Sequence, residues 1–215
     1  MRNIFFPIAI SLALCGTAAA APPRHVEIGY EISSNGLVVA EVSERLEHDG
    51  RSYRLAETVQ GKGIFAKRGN STRSSQGAIA PDGLRPEKFE HTRSGRDTLH
   101  AEFDPAAKTP TLQRQDGLSF AWTFAFAPPK KTAKVTVADG KDMTTYVYEV
   151  AGRERIKTPA GEFNALKLAK RRENPQDKVT EIWLAADRNY LPVRVLVVDK
   201  HGVRLDQLAV KINVQ

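Results

Sequence analysis

The sequence predicts an all-β protein, mainly antiparallel, with one short helix packed against the sheet. Three observations predict it. Apolar residues alternate with polar ones at period two in segment after segment. Turn residues, above all Gly and Asn, separate those segments at short intervals. One apolar run, residues 116–126, carries helical spacing as well. Many short strands at such intervals indicate a barrel or a sandwich.

The first twenty residues read as an address. Arg2 gives a short positive start, Ile4 and the residues up to Leu14 form an apolar run, and Ala18-Ala19-Ala20 offers small residues for cleavage. A run that short cannot cross a bilayer as a helix, which takes about 20 residues. Residues 1–20 are therefore expected to be a cleavable signal peptide, and 21–215 a single β-rich periplasmic domain. Cys15 raises lipidation as a rival, but Leu14 stands where a lipoprotein signal wants a small residue. Removal of the leader removes the sole cysteine, so neither a disulfide nor a thiolate metal site is expected.

Strands follow in order. Val26, Ile28, Tyr30 and Ile32 share one face; Asn35-Gly36 suits a hairpin turn. Residues 37–46 return, Asp49-Gly50 turns again, and 53–60 continues the meander. From 61 to 86 the pattern thins, and the polar run 69–77 reads as a loop or hairpin tip. Residues 88–93 and 98–104 form another hairpin; 104–114, with Pro105 and Pro110, reads as a linker. In 116–126, Phe120, Trp122, Phe124 and Phe126 fit a strand, whereas Leu118, Ala121, Trp122 and Ala125 fit a helix with Asp116 as its cap. The helical reading is preferred, ended by Pro128-Pro129. Strands are expected again at 134–138, 144–150, 153–157, 165–170, 179–184, 191–198 and 203–212.

The last pair is informative. Leu191, Val193, Val195 and Val197 form one face and Arg194, Leu196 and Val198 the other, so this strand is covered on both sides. A guanidinium among valines must reach solvent or find a carboxylate, because an unpaired buried charge costs several kcal/mol. Arg194 is expected in a structural ion pair, with Glu181, Asp187 and Asp206 as candidate partners.

Several phrases resemble an uncharacterised family of secreted bacterial proteins, catalogued as domain of unknown function 3108. They are Ser75-Gln76-Gly77, Asp82-Gly83-Leu84-Arg85-Pro86, Gln115-Asp116-Gly117-Leu118-Ser119, Thr158-Pro159-Ala160-Gly161, Trp183-Leu184-Ala185 and Leu191-Pro192-Val193-Arg194. The resemblance implies a periplasmic, single strongly curved sheet or open β-barrel, supports the helix, and implies no established reaction. Gly117 departs from the expectation of a larger helix residue.

Charge and motifs narrow the function. The chain carries 32 Lys and Arg against 25 Asp and Glu, a net of +7. That excess is compatible with an anionic lipid-like partner, yet it is scattered as on a solvated surface. Without a recognition motif, nucleic acid is not expected. There is no nucleophile elbow, phosphate loop or dinucleotide fingerprint. The five histidines are dispersed; His91 and His100 could approach across one hairpin, but ordinary exposed side chains are expected rather than a metal pair. No catalytic residue, cofactor or metal is assigned. The expected function is a non-enzymatic module binding an apolar ligand such as a lipid, with Phe120, Trp122, Phe124, Trp183 and Leu196 lining its pocket. The alternative is a structural or interaction protein of the cell envelope, presenting an exposed sheet edge or loop patch to a protein partner around residues 61–86. An envelope hydrolase ranks third.

Overall fold

The computed structural model describes residues 22–215. The expected signal peptide, its cleavage site and Cys15 lie outside the described residues. Thirteen strands build one sheet: β1 (His25–Ser34), β2 (Leu37–His48), β3 (Ser52–Gly61), β4 (Asn70–Ala80), β5 (Gly83–Arg93), β6 (Leu99–Glu102), β7 (Gln115–Asp116), β8 (Thr132–Ala138), β9 (Met143–Thr158), β10 (Gly161–Lys170), β11 (Val179–Ala185), β12 (Leu191–Val198) and β13 (Arg204–Val214). One helix, α1 (Ser119–Phe126), lies between β7 and β8 in the chain.

The spatial order is β6-β5-β4-β3-β2-β1-β13-β12-β11-β10-β9-β8-β7. Two meanders therefore meet where the first strand pairs with the last, Ile28 opposite Ile212. Every ladder is antiparallel except the short one between β7 and β8. The result is a nearly closed, barrel-like sheet, as the sequence predicts. Local chemistry fixes the first hairpins. Asn35 and Gly36 take φ of 49° and 87°, and the Asp49 carboxylate accepts the Arg51 and Ser52 amides, both at 2.7 Å.

Two sequence expectations are corrected here. Of residues 69–77 all but Gly69 belong to β4, which is paired on both sides, so this segment is neither a loop nor a free sheet edge. Their inward side chains are polar because they meet polar groups inside the barrel, which hides the usual apolar alternation. Residues 104–114 are not a linker either. They contain a 3-10 turn, Thr111–Gln113, and Thr111 is buried, its hydroxyl donating to the Asp82 carbonyl at 2.6 Å. A smaller revision concerns 144–157, which forms one strand. Gly152, at φ 141°, absorbs the bulge opposite Lys167 and Leu168.

The helix sits inside the curve. Its residues are apolar except Ser119 and Thr123, which stand four apart on one face and are both hydrogen-bonded. Trp122 and Ala125 join one apolar cluster with Ile28, Leu46, Leu55 and Leu84. Phe124 joins a second with Val135, Leu168, Ile182 and Leu184. The seam toward β5 is tight: the Leu84 amide donates to Thr123 Oγ1 at 2.8 Å, and the Gln115 amide group donates to the Leu84 carbonyl at 2.8 Å.

Gly77 marks a second close approach. A Cβ there would stand 2.1 Å from the Arg85 carbonyl oxygen, at the bulge between β4 and β5. Gly77→Ala should therefore destabilise the fold by about 2–3 kcal/mol, measured as a lower urea midpoint at unchanged slope.

Candidate ligand cavity

Register sets a row of polar residues across the interior. Glu44 on β2 stands opposite Glu57 on β3, and Glu57 opposite Arg73 on β4. Arg73 grips Glu57 through two guanidinium nitrogens, one at 2.6 Å, and donates a third bond to the Gly117 carbonyl at 3.1 Å. Glu44 is 7% exposed. Its carboxylate accepts the Trp122 indole N–H at 2.6 Å and lies 3.4 Å from the Tyr30 hydroxyl, which also donates to the Pro192 carbonyl at 2.8 Å. Burial first, and then the charge of Glu57, push the Glu44 carboxyl up to about 7, while the Trp122 bond and Arg73 pull the other way. Burial likewise raises the Tyr30 hydroxyl well above its ordinary value, so it stays a donor.

A second network anchors the helix. One Asp116 oxygen accepts the Leu118 and Ser119 amides, both at 2.8 Å, and the other accepts the Ser75 hydroxyl at 2.5 Å. Ser75 in turn meets the Tyr53 hydroxyl at 2.9 Å. Ser119 donates to Gln115 at 2.9 Å, and Gln115 donates to the Thr111 carbonyl at 2.7 Å. Asp116 was expected as the helix cap, and it makes those bonds.

Between these networks and the second half of the sheet lies a cavity of about 260 Å³. Phe120, Ala121, Trp122, Tyr148, Ile182 and Val195 give its apolar walls; Tyr30, Glu44, Arg73, Thr180 and Gln207 give its polar ones. A larger hollow of about 600 Å³ is a depression wide open to solvent, where charged residues such as Arg24, Glu47, Asp49, Arg54 and Glu87 surround Tyr53.

The structure brings two of the five sequence-predicted pocket residues, Phe120 and Trp122, to this cavity. Phe124 packs behind it in the second apolar cluster, its ring edge on Phe120 at 5.8 Å between centroids. Trp183 and Leu196 are buried but do not line it. Trp183 is held between Lys167 and Arg194, whose charged groups lie 4.9 and 4.5 Å from its ring, and donates its N–H to Glu154. Arg194 pairs with Asp206 through two bonds of 2.8 and 2.7 Å, not with Glu181 or Asp187. His91 bonds Ser71 and stands opposite Leu99, and His100 lies 3.6 Å from Glu90, so the two histidines do not meet. Sequence reasoning missed Tyr30, Glu44, Arg73 and Tyr148. Glu44 carried a signal, because it falls between Val42 and Leu46 on the inward side of β2.

Fold and cavity together define a barrel-like β protein whose interior is partly filled by its own helix. The chain belongs to the family described as protein of unknown function DUF3108, whose sequence pattern matches residues 29–207. No curated protein matches it. Among solved structures it is similar to a beta-barrel-like protein of the domain of unknown function DUF1849 from Brucella abortus, at 8% identity and TM-score 0.49, covering 91% of this chain and 99% of that one. It is also similar to a chain of the MucA/MucB complex of Pseudomonas aeruginosa, at 15% identity and TM-score 0.39, covering 88% of this chain and 51% of that one. This chain thus spans about half of that neighbour's length. Among the described residues, no helix is long and apolar enough to cross a membrane.

The buried carboxylate gives stability a pH dependence. Its folded value lies above the ordinary carboxylate value of 4.5, so the folded state binds the proton more tightly. This contribution is intact below pH 4.5 and is lost as pH rises through about 7, a loss on the order of 3 kcal/mol. Glu44→Gln should flatten the fall in urea midpoint between pH 5 and pH 8 and should be the more stable protein at pH 8. Parallel profiles for the two proteins would contradict this.

Proposed function

We propose that the protein is a non-enzymatic periplasmic binding module that holds a small amphipathic molecule in the cavity beside α1. The observation that carries this reading is the cavity's division into aromatic and aliphatic walls, with a few convergent polar groups opposite. That is the usual composition of a small-molecule site. Size narrows the ligand. At about 260 Å³, the space lies just under the range of roughly 300–1,000 Å³ typical for larger ligands. A single short acyl chain or a small aromatic amphiphile suits it, and a whole diacyl lipid does not.

The polar groups support binding rather than turnover. Glu57 is engaged by Arg73, Glu44 by Trp122, and Ser75 and Ser119 by Asp116 and Gln115. No histidine lines the cavity to act as a base. The leader-like apolar run before Ala18-Ala19-Ala20 supports export to the periplasm.

The test uses Trp122 as its own reporter. The protein has two tryptophans, and Trp183→Phe leaves Trp122 as the single tryptophan, touching both Glu44 and the cavity. Decanol and decanoate, titrated into this variant, should change its emission saturably at one molecule per chain. Ala121→Trp, which fills the cavity from the helix, should weaken binding at least about tenfold, measured by calorimetry. Equal affinity in the filled variant, or no saturable binding of any short amphiphile, would refute the cavity as the site.

A further inference from the structure

Six hairpin or connecting turns, β1–β2, β3–β4, β5–β6, β8–β9, β10–β11 and β12–β13, gather at one end of the barrel, as the strand registers require. One side of that end is apolar where it should be wet. Leu37 is 74% exposed, Ile64 82%, and Val38, Val203 and Leu205 40–46%. They are neighbours: Ser34 pairs with both Leu37 and Leu205, the Asn35 amide donates to the Arg204 carbonyl at 3.2 Å, and the Lys62 amide donates to the Val39 carbonyl at 2.8 Å. Beneath them runs a groove of about 460 Å³ lined by Ile32, Val39, Val59, Phe65, Val203 and Leu205. A soluble surface scatters such residues singly; a contiguous set marks a contact.

The charges around the patch identify what it contacts. The β3–β4 connector, residues 62–69, reads KGIFAKRG, with three basic residues and no acidic one. The β12–β13 turn adds Lys200, and Arg204 opens β13. Glu41 is paired with Lys62 at 2.7 Å and Asp206 with Arg194 and Arg204, so these carboxylates and cations offset one another. Asp199 keeps its charge and accepts the His201 and Val203 amides of its own turn at 2.8 and 2.9 Å. Lys67 and Lys200 are exposed. Apolar side chains rimmed by cations fit a bilayer interface rich in anionic headgroups, with Ile64 and Leu37 entering the acyl boundary and the lysines meeting the headgroups. A second copy docked face to face would set one cationic rim against another. The geometry points to this end of the barrel as a docking surface for an anionic membrane leaflet. The inference does not depend on the cavity, and its test uses different residues.

Vesicles of phosphatidylcholine, with and without phosphatidylglycerol, test it by co-sedimentation of the exported chain at low and high salt. Binding should be at least about tenfold stronger on the anionic vesicles and should weaken with salt. Ile64→Asp and Lys67→Glu should each reduce it about tenfold, with unchanged circular dichroism because both side chains are exposed. Val214→Asp, at an exposed apolar site at the opposite end of β13, should bind as the parent does. Equal binding to both vesicle types, or undiminished binding by Ile64→Asp, would overturn the proposal. So would self-association abolished by Ile64→Asp without vesicle binding, which would assign the patch to a second copy. Crosslinking from position 64 in intact envelopes to a protein rather than to lipid would overturn it in favour of a protein partner.

Discussion

The Asp116 carboxylate holds the interior together. A sheet that curves through thirteen strands without closing leaves its two end strands, β6 and β7, unpaired with one another. The helix packs inside the curve against β5, β7 and β12, and Asp116 sets where it lies. One oxygen satisfies the first free amides of α1, and the other takes the Ser75 hydroxyl from the far wall. Burying a carboxylate is costly, and burial does raise this one above its ordinary value against the pull of its hydrogen bonds. Its three donors offset the cost and make one position of the helix better than its neighbours. Trp122 then falls beside Glu44, and the cavity is the space left over.

That space owes its character to a polar interior rather than to loose packing. Glu44, Glu57 and Arg73 occupy consecutive strands at one level, and a row of charges there would repel apolar packing were it not internally paired. The guanidinium neutralises one carboxylate and leaves the other to the hydrogen bond from Trp122. The same row explains β4. Its inward residues are Arg73 and Ser75, so a strand with a buried face has the composition of a loop.

A different lattice stiffens the other half of the sheet. Lys167, Trp183 and Arg194 stand in register on β10, β11 and β12, with the indole between two cations. Arg194 continues the row to Asp206 on β13 by a bidentate pair. Such a pair fixes geometry because the planar guanidinium and carboxylate match only in one orientation. The strands that carry the cavity's aliphatic wall, Ile182 and Val195, are thereby locked from the opposite face of the sheet. The exposed apolar patch lies beyond this lattice, on turns and strand ends whose conformation it does not dictate.

The sequence by itself determined the features that depend on near neighbours. Period-two alternation in β1 to β3 and the Asn35-Gly36 turn specify a meander, because a strand and its return are joined by only a few residues. Asp116 could be read as a cap because the amides it serves are two and three residues away. Tertiary structure decided everything whose partner lies far along the chain. Ser75 is buried because Asp116, 41 residues on, needs a donor. Glu44 is tolerated because Trp122, 78 residues on, supplies one. Arg194 had three carboxylates to choose from, and the β12–β13 register put Asp206 diagonally across from it on the same face. A polar side chain shows in the sequence whether it can bond; only the folded sheet brings it the atom it bonds to.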